Sequence, residues 1–141
     1  MRNPYDRLIS TFAYYKGGGE SERDATNSEE LLGNLFDVND FVDLFLGKHK
    51  GTFFETHLRP QHSFLVDEEK QIRMNFIGKF ESLEEDYKKV AKKLRITQPL
   101  KRTNVSHKKF DLDLNLALTD TSREKIFKFY KQDFGLFNYS T

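Results

Sequence analysis

The stretch 74–94 constrains this chain more than any other. Met74-Asn75-Phe76-Ile77-Gly78-Lys79-Phe80 reads as a strand, since short apolar runs of aromatic and branched residues suit a pleated, buried surface. Ser82 follows as a helix cap, with Glu85 three residues later completing a capping box. Leu83, Tyr87, Val90, Ala91 and Leu94 then recur at helical spacing. Glu84, Glu85 and Asp86 precede Lys88, Lys89, Lys92 and Lys93, so acid leads base along the helix and complements its dipole. This four-lysine face reads as solvated surface, and a strand running directly into a capped helix is the unit from which α/β folds are built.

A second helix opens the chain. Asn3 is a good N-cap and Pro4 suits the first helical position. Tyr5, Leu8, Ile9 and Phe12 form its apolar stripe, and Gly17-Gly18-Gly19 stops it near residue 16. Residues 17–30 are Gly, Ser, Glu, Asp and Asn for the most part, which reads as a solvated loop. A third helix is expected over 39–47, capped by Asp37 or Asn39, and a last one from Thr119 to Phe134. The region 48–74 is mixed, with irregular backbone around Pro60. A long loop is expected over 96–119, and the aromatic tail 135–141 is expected to dock on the body.

Composition closes off several functions. The 141 residues suffice for one core, and 14 Phe with 6 Tyr supply much of the surface it can bury. There is no cysteine, so disulfides, thiolate metal sites and a cysteine nucleophile are excluded. The net charge of +1 provides no global field toward nucleic acid, and any anion site must be local. No apolar run approaches the ~18 residues a membrane span needs. With no apolar leader after Met1, the expectation is a soluble protein, cytoplasmic rather than secreted. His57 and His62 flank Pro60 without a neighbouring carboxylate motif, and no metal site is expected there.

Arg2-Asn3-Pro4-Tyr5-Asp6-Arg7-Leu8-Ile9-Ser10 resembles the 3′-phosphate motif of sulfotransferases that use 3′-phosphoadenosine 5′-phosphosulfate (PAPS). Glu55-Thr56-His57-Leu58-Arg59-Pro60-Gln61 resembles the His-x-x-Pro-Gln segment of the carbohydrate, chondroitin-type branch. Residues 76–86, Thr103-Asn104-Val105-Ser106 and the segment from Asp120 to Tyr139 resemble later blocks of that branch, in the same order. The resemblance implies a helix-rich part of the P-loop-type α/β sulfotransferase fold, with flanking helices on a truncated parallel sheet. It implies one domain over 1–141, lacking the N-terminal 5′-phosphosulfate loop and first strands. By resemblance, Arg2 and Ser10 bind the donor's 3′-phosphate. Phe80 stands near the adenine, where an aromatic can stack on a base.

The implied reaction is transfer of a sulfuryl group from PAPS to a carbohydrate hydroxyl, without a metal. The catalytic base is expected upstream of Met1, which would leave this chain alone inactive. His57, Arg59 and Gln61 are acceptor-side candidates, with Lys79, Lys101, Arg102, Lys108 and Lys109 behind them. Arg7 reads first as a helix-surface charge. Exposed edges of a truncated sheet would need a homo-oligomer or the missing N-terminal half as partner. The alternative function is a non-catalytic remnant or subunit that binds a nucleotide or a protein partner.

Overall fold

In a computed structural model, residues 1–48, 54–101 and 115–141 are described. The expectations for Asn104, Ser106, Arg102, Lys108 and Lys109 lie outside them. The helices are α1 (Pro4–Lys16), α2 (Glu22–Leu32), α3 (Val38–Phe45), α4 (Glu55–Leu58), α5 (Leu83–Leu94), α6 (Asp120–Phe129) and α7 (Lys131–Leu136). Two 3₁₀ turns, Gln61–Phe64 and Phe80–Ser82, complete the order.

Helix α1 is the central element. Its Asn3 cap accepts from the Tyr5 N–H. Tyr5, Leu8, Phe12 and Tyr15 point inward and are buried. They meet Val38, Phe41 and Val42 of α3, Leu58 of α4, and Ile126, Tyr130 and Phe134 from the C-terminal helices. Much of this core is aromatic: Phe12 packs on Phe41 at 5.4 Å and Tyr5 on Phe134 at 5.0 Å between ring centroids. Rings that meet edge-on or tilted gain favourable quadrupole contacts besides burying area.

The segment 17–30, expected as a loop, contains α2 instead. Ser21 accepts from the Asp24 N–H, and Asp24 reaches back in a reciprocal capping box. Its large apolar residues, Leu31 and Leu32, come only at the last turn, so helical periodicity had little to reveal. Gly19 has φ +63°, and a Cβ there would stand 2.4 Å from the Asp24 Cβ, so glycine is required for this entry. The far end of α2 is closed by Lys16, whose Nζ donates to the carbonyls of Leu32 and Gly33.

The expected parallel sheet is not formed: the described residues include no strand, only isolated bridges at Asp37–Asn115 and Val66–Ile72. Residues 74–80 run without a ladder, although Lys79 has extended backbone. Among the described residues, the backbone segment they pair with in the manner of a strand is Met1. Its amino group donates to the Gly78 carbonyl, and its carbonyl accepts from the Phe80 N–H at 2.6 Å. These two bonds have the pattern of a single parallel rung. A strand needs a partner along its length, and the local pattern supplies only one side of the pairing.

The capping box at Ser82 and Glu85 is also replaced. The Ser82 hydroxyl donates to Asp86 at 2.9 Å, and Asp86 also accepts from the Lys79 N–H at 2.9 Å. The expected 119–134 helix breaks at Tyr130, where the ring turns inward and its hydroxyl donates to the Leu58 carbonyl at 2.7 Å. The tail docks as expected: Phe137 is buried, and the Tyr139 hydroxyl donates to Glu81.

Asp86 is pulled down to about 2 by the Lys79 N–H first, then by Lys89 and the Ser82 hydroxyl. A depressed carboxylate contributes stability above its ordinary value of 3.8 and loses it as pH falls through about 2. Protection of the Lys79 amide against hydrogen exchange is therefore expected to fall across that window. Asp86→Asn should remove this acid step.

Candidate functional site

Helix α1 has two working faces. Positions 5, 8, 12 and 15 build the core, while Arg7, Ser10, Thr11 and Tyr14 lie along a second stripe. This stripe forms one wall of a cleft of about 490 Å³, closed by Met1, Arg2, Thr56, His57, Gln61 and Phe64. Arg2, Ser10, His57 and Gln61 were expected site residues, and the fold brings all four to this cleft. Phe80 stands behind Arg2, whose guanidinium lies 4.7 Å from the ring centroid.

Arg2 is held by its backbone. Its N–H donates to Gln61 Oε1 at 2.9 Å and its carbonyl accepts from Gln61 Nε2 at 2.8 Å. The side chain of Gln61 is thus engaged in positioning Arg2. Gln61 is in turn fixed from below by Asp133, fully buried, which accepts from the Gln61 N–H at 2.7 Å and the His62 N–H at 2.9 Å. His62 Nδ1 lies 2.6 Å from the same carboxylate. The Asn3 N–H donates to Glu81 at 2.6 Å, which fixes the other side of the motif. Burial alone would push Glu81 up, but hydrogen bonds from Asn3 and Tyr139 help hold it below its ordinary value.

The guanidinium of Arg2 and the hydroxyl of Ser10 have no hydrogen-bond or ion-pair partner among the described residues. Arg7, expected as a surface charge, also lines the cleft. It donates to the Arg59 carbonyl at 2.8 Å, and burial draws its pKa down, with Tyr130 and Asp133 opposing. Two guanidinium groups and a hydroxyl around one cleft can receive a dianion, because planar forks of donors match phosphate oxygens.

His57 Nδ1 lies 2.6 Å from the Tyr15 hydroxyl, and its ring stacks on Tyr14 at 5.9 Å. Desolvation, then the charge of Arg7, lowers its pKa below 6.5, with Asp24 opposing. Burial therefore favours the neutral form of the ring. Burial raises the Tyr15 hydroxyl well above its ordinary range.

Arg59 is not at the cleft. Its Nε donates to Ser63 Oγ at 2.8 Å and its guanidinium lies over Phe64. Lys79 is likewise turned to the C-terminal tail, over Tyr139 and bonded to the Asn138 carbonyl. Sequence reasoning missed Asp133 and Thr56. Asp133 sits 72 residues from Gln61, and the only local sign of it is a carboxylate set among the aromatic residues of the last helix.

Residues 1–140 match the model of the sulfotransferase family. The chain belongs to that family. It is similar to human carbohydrate sulfotransferase 9, with 26% identity over an alignment of 164 residues that covers all of this chain. The chain spans 37% of that protein's length. No solved structure matches it. The match agrees with the carbohydrate branch to which the blocks at 55–61 and 76–86 pointed.

Two outcomes are expected from the supporting groups. Asp133→Ala strands two buried N–H donors and should cost about 3 kcal/mol, read by urea unfolding. The His57 ring should titrate below 6.5, followed by its carbon-bound proton resonances in NMR. Because the fold penalises its protonation, stability should fall as pH drops below 6.5.

Proposed function

We propose that this chain carries the 3′-phosphate-binding half of a PAPS-dependent sulfotransferase acting on a carbohydrate hydroxyl. The observation behind the reading is the cleft wall itself. Arg2 and Ser10 are eight positions apart, unpaired among the described residues, and on one cleft with Arg7. The family match and the carbohydrate sulfotransferase relative support the same reading.

In this reading the Arg2 guanidinium and Ser10 hydroxyl donate to the 3′-phosphate, with Arg7 adding charge. The Gln61 clamp fixes the Arg2 backbone, so the cation is placed before the donor arrives, and little ordering cost remains at binding. Arg2 already lies over Phe80, and the exposed ring offers a surface on which an adenine can stack. Fixing the nucleotide end sets the approach of the reacting centre. When bound, the donor supplies a sulfuryl group that leaves its phosphate oxygen for the acceptor hydroxyl, which gives up its proton. Neutral His57 on the same wall can donate or accept a hydrogen bond without competing as a cation.

Calorimetric titration with 3′-phosphoadenosine 5′-phosphate tests the assignment. The folded chain should bind it, adenosine 5′-phosphate should bind at least tenfold more weakly, and Arg2→Ala should lose tenfold or more. Loss of one charge-assisted phosphate contact corresponds to about 1.5–3 kcal/mol. Equal affinity for the two nucleotides, or no binding by a folded chain, would sink the reading.

A further inference from the structure

Phe80 is an aromatic residue that core packing does not explain. It is 55% exposed and stands outside the buried core cluster, although rings of this size contribute most when buried. It does not line the cleft either. What the ring does carry is the guanidinium of Arg2, 4.7 Å from its centroid.

The backbone around Phe80 accounts for the meeting. The Met1 amino group donates to the Gly78 carbonyl, and the Phe80 N–H donates to the Met1 carbonyl at 2.6 Å. Glu81 accepts from the Asn3 N–H at 2.6 Å. Residues 78–81 thus hold Met1 and Asn3, the two neighbours of Arg2, and this register brings the ring beside the arginine side chain. The Gln61 amide holds the Arg2 backbone as well. These bonds fix where the side chain begins. They do not fix where its charged end lies, and an arginine keeps much rotamer freedom that a ligand would have to remove.

The ring supplies the missing restraint without the drawback of a carboxylate. An acidic partner would hold the guanidinium, but it would occupy the N–H donors and repel an incoming anion. A ring attracts the cation through its face and leaves the planar fork of donors open. Arg2 lines the cleft with no hydrogen-bond or ion-pair partner for its guanidinium among the described residues.

We infer that Phe80 is a positioning residue for anion binding that acts through Arg2, holding the guanidinium at the cleft with its donors unoccupied. The inference rests on the reading of the cleft as a phosphate site. It asks something different of the ring than base stacking does. A stacking ring strengthens only ligands that carry a base. A ring acting through Arg2 strengthens any ligand that brings the phosphate.

The test is calorimetric titration of the whole chain with 3′-phosphoadenosine 5′-phosphate and with ribose 3,5-bisphosphate, which has the phosphates and no base. Phe80→Leu should weaken both by the same factor, roughly two- to fivefold, as for loss of an exposed cation–ring contact. In an Arg2→Ala background the same change should weaken neither, and Phe80→Tyr should bind as the parent does. Loss confined to the adenine ligand, or an undiminished loss without Arg2, would overturn the inference. A second readout needs no ligand. The ring shields the end of the Arg2 side chain, so its δ-proton resonances should lie upfield in the parent and return to ordinary positions in Phe80→Leu, with thermal melting little changed. Ordinary Arg2 shifts in a parent that binds both ligands would overturn this inference alone. A folded parent that binds neither ligand would remove the phosphate reading, and the role of Phe80 in it.

Discussion

The buried carboxylate of Asp133 organises the cleft side of the molecule. It receives two consecutive N–H groups, from Gln61 and His62, with the His62 ring beside them. A charge taken out of water is tolerable only when its acceptor positions are filled, so the turn after Pro60 and helix α7 fix one another. The consequence reaches the surface in two steps. The turn places the Gln61 amide, and the amide grips the backbone of Arg2 on both sides. The break between α6 and α7 belongs to the same arrangement, since Tyr130 and Asp133 both have to face inward.

The motif around His57, Pro60 and Gln61 gains a physical meaning from this. Pro60 precedes the 3₁₀ turn whose first N–H groups the carboxylate receives. Gln61 and His57 both line the cleft, and the Gln61 side chain is already engaged with the backbone of Arg2. Arg59, between them, serves the turn through Ser63. Four neighbouring residues thus divide into scaffold and cleft, which accounts for the tightness of the local sequence pattern.

What could be read from the sequence was what local patterning controls. Helix α1 with its Asn3 cap, α3, the helix after Ser82 and the docked tail all followed from caps and apolar spacing. Arg2, Ser10, His57 and Gln61 were singled out through resemblance to family motifs, and the fold brings them to one cleft. The failures share one cause, dependence on distant partners. Residues 74–80 have the composition of a strand, but among the described residues only Met1 pairs with their backbone in strand fashion. Helix α2 has few apolar residues and owes its start to the Ser21–Asp24 cap and its end to Lys16. Asp133 gains its role from residues 72 positions away, and Arg7 reaches the cleft because α1 turns that face outward.

The two faces of α1 bear on how such motifs persist. Inserting one residue between Pro4 and Ser10, inside α1, would rotate the rest of the helix by about 100° and drive polar positions into the aromatic core. The helical part of the interval is therefore guarded by folding, independently of any ligand. A descendant that had abandoned the nucleotide would keep the interval and be free to change the side chains at its ends. Under the proposed reading, arginine and serine kept at those two positions would be the trace of binding, while the spacing within α1 records the helix.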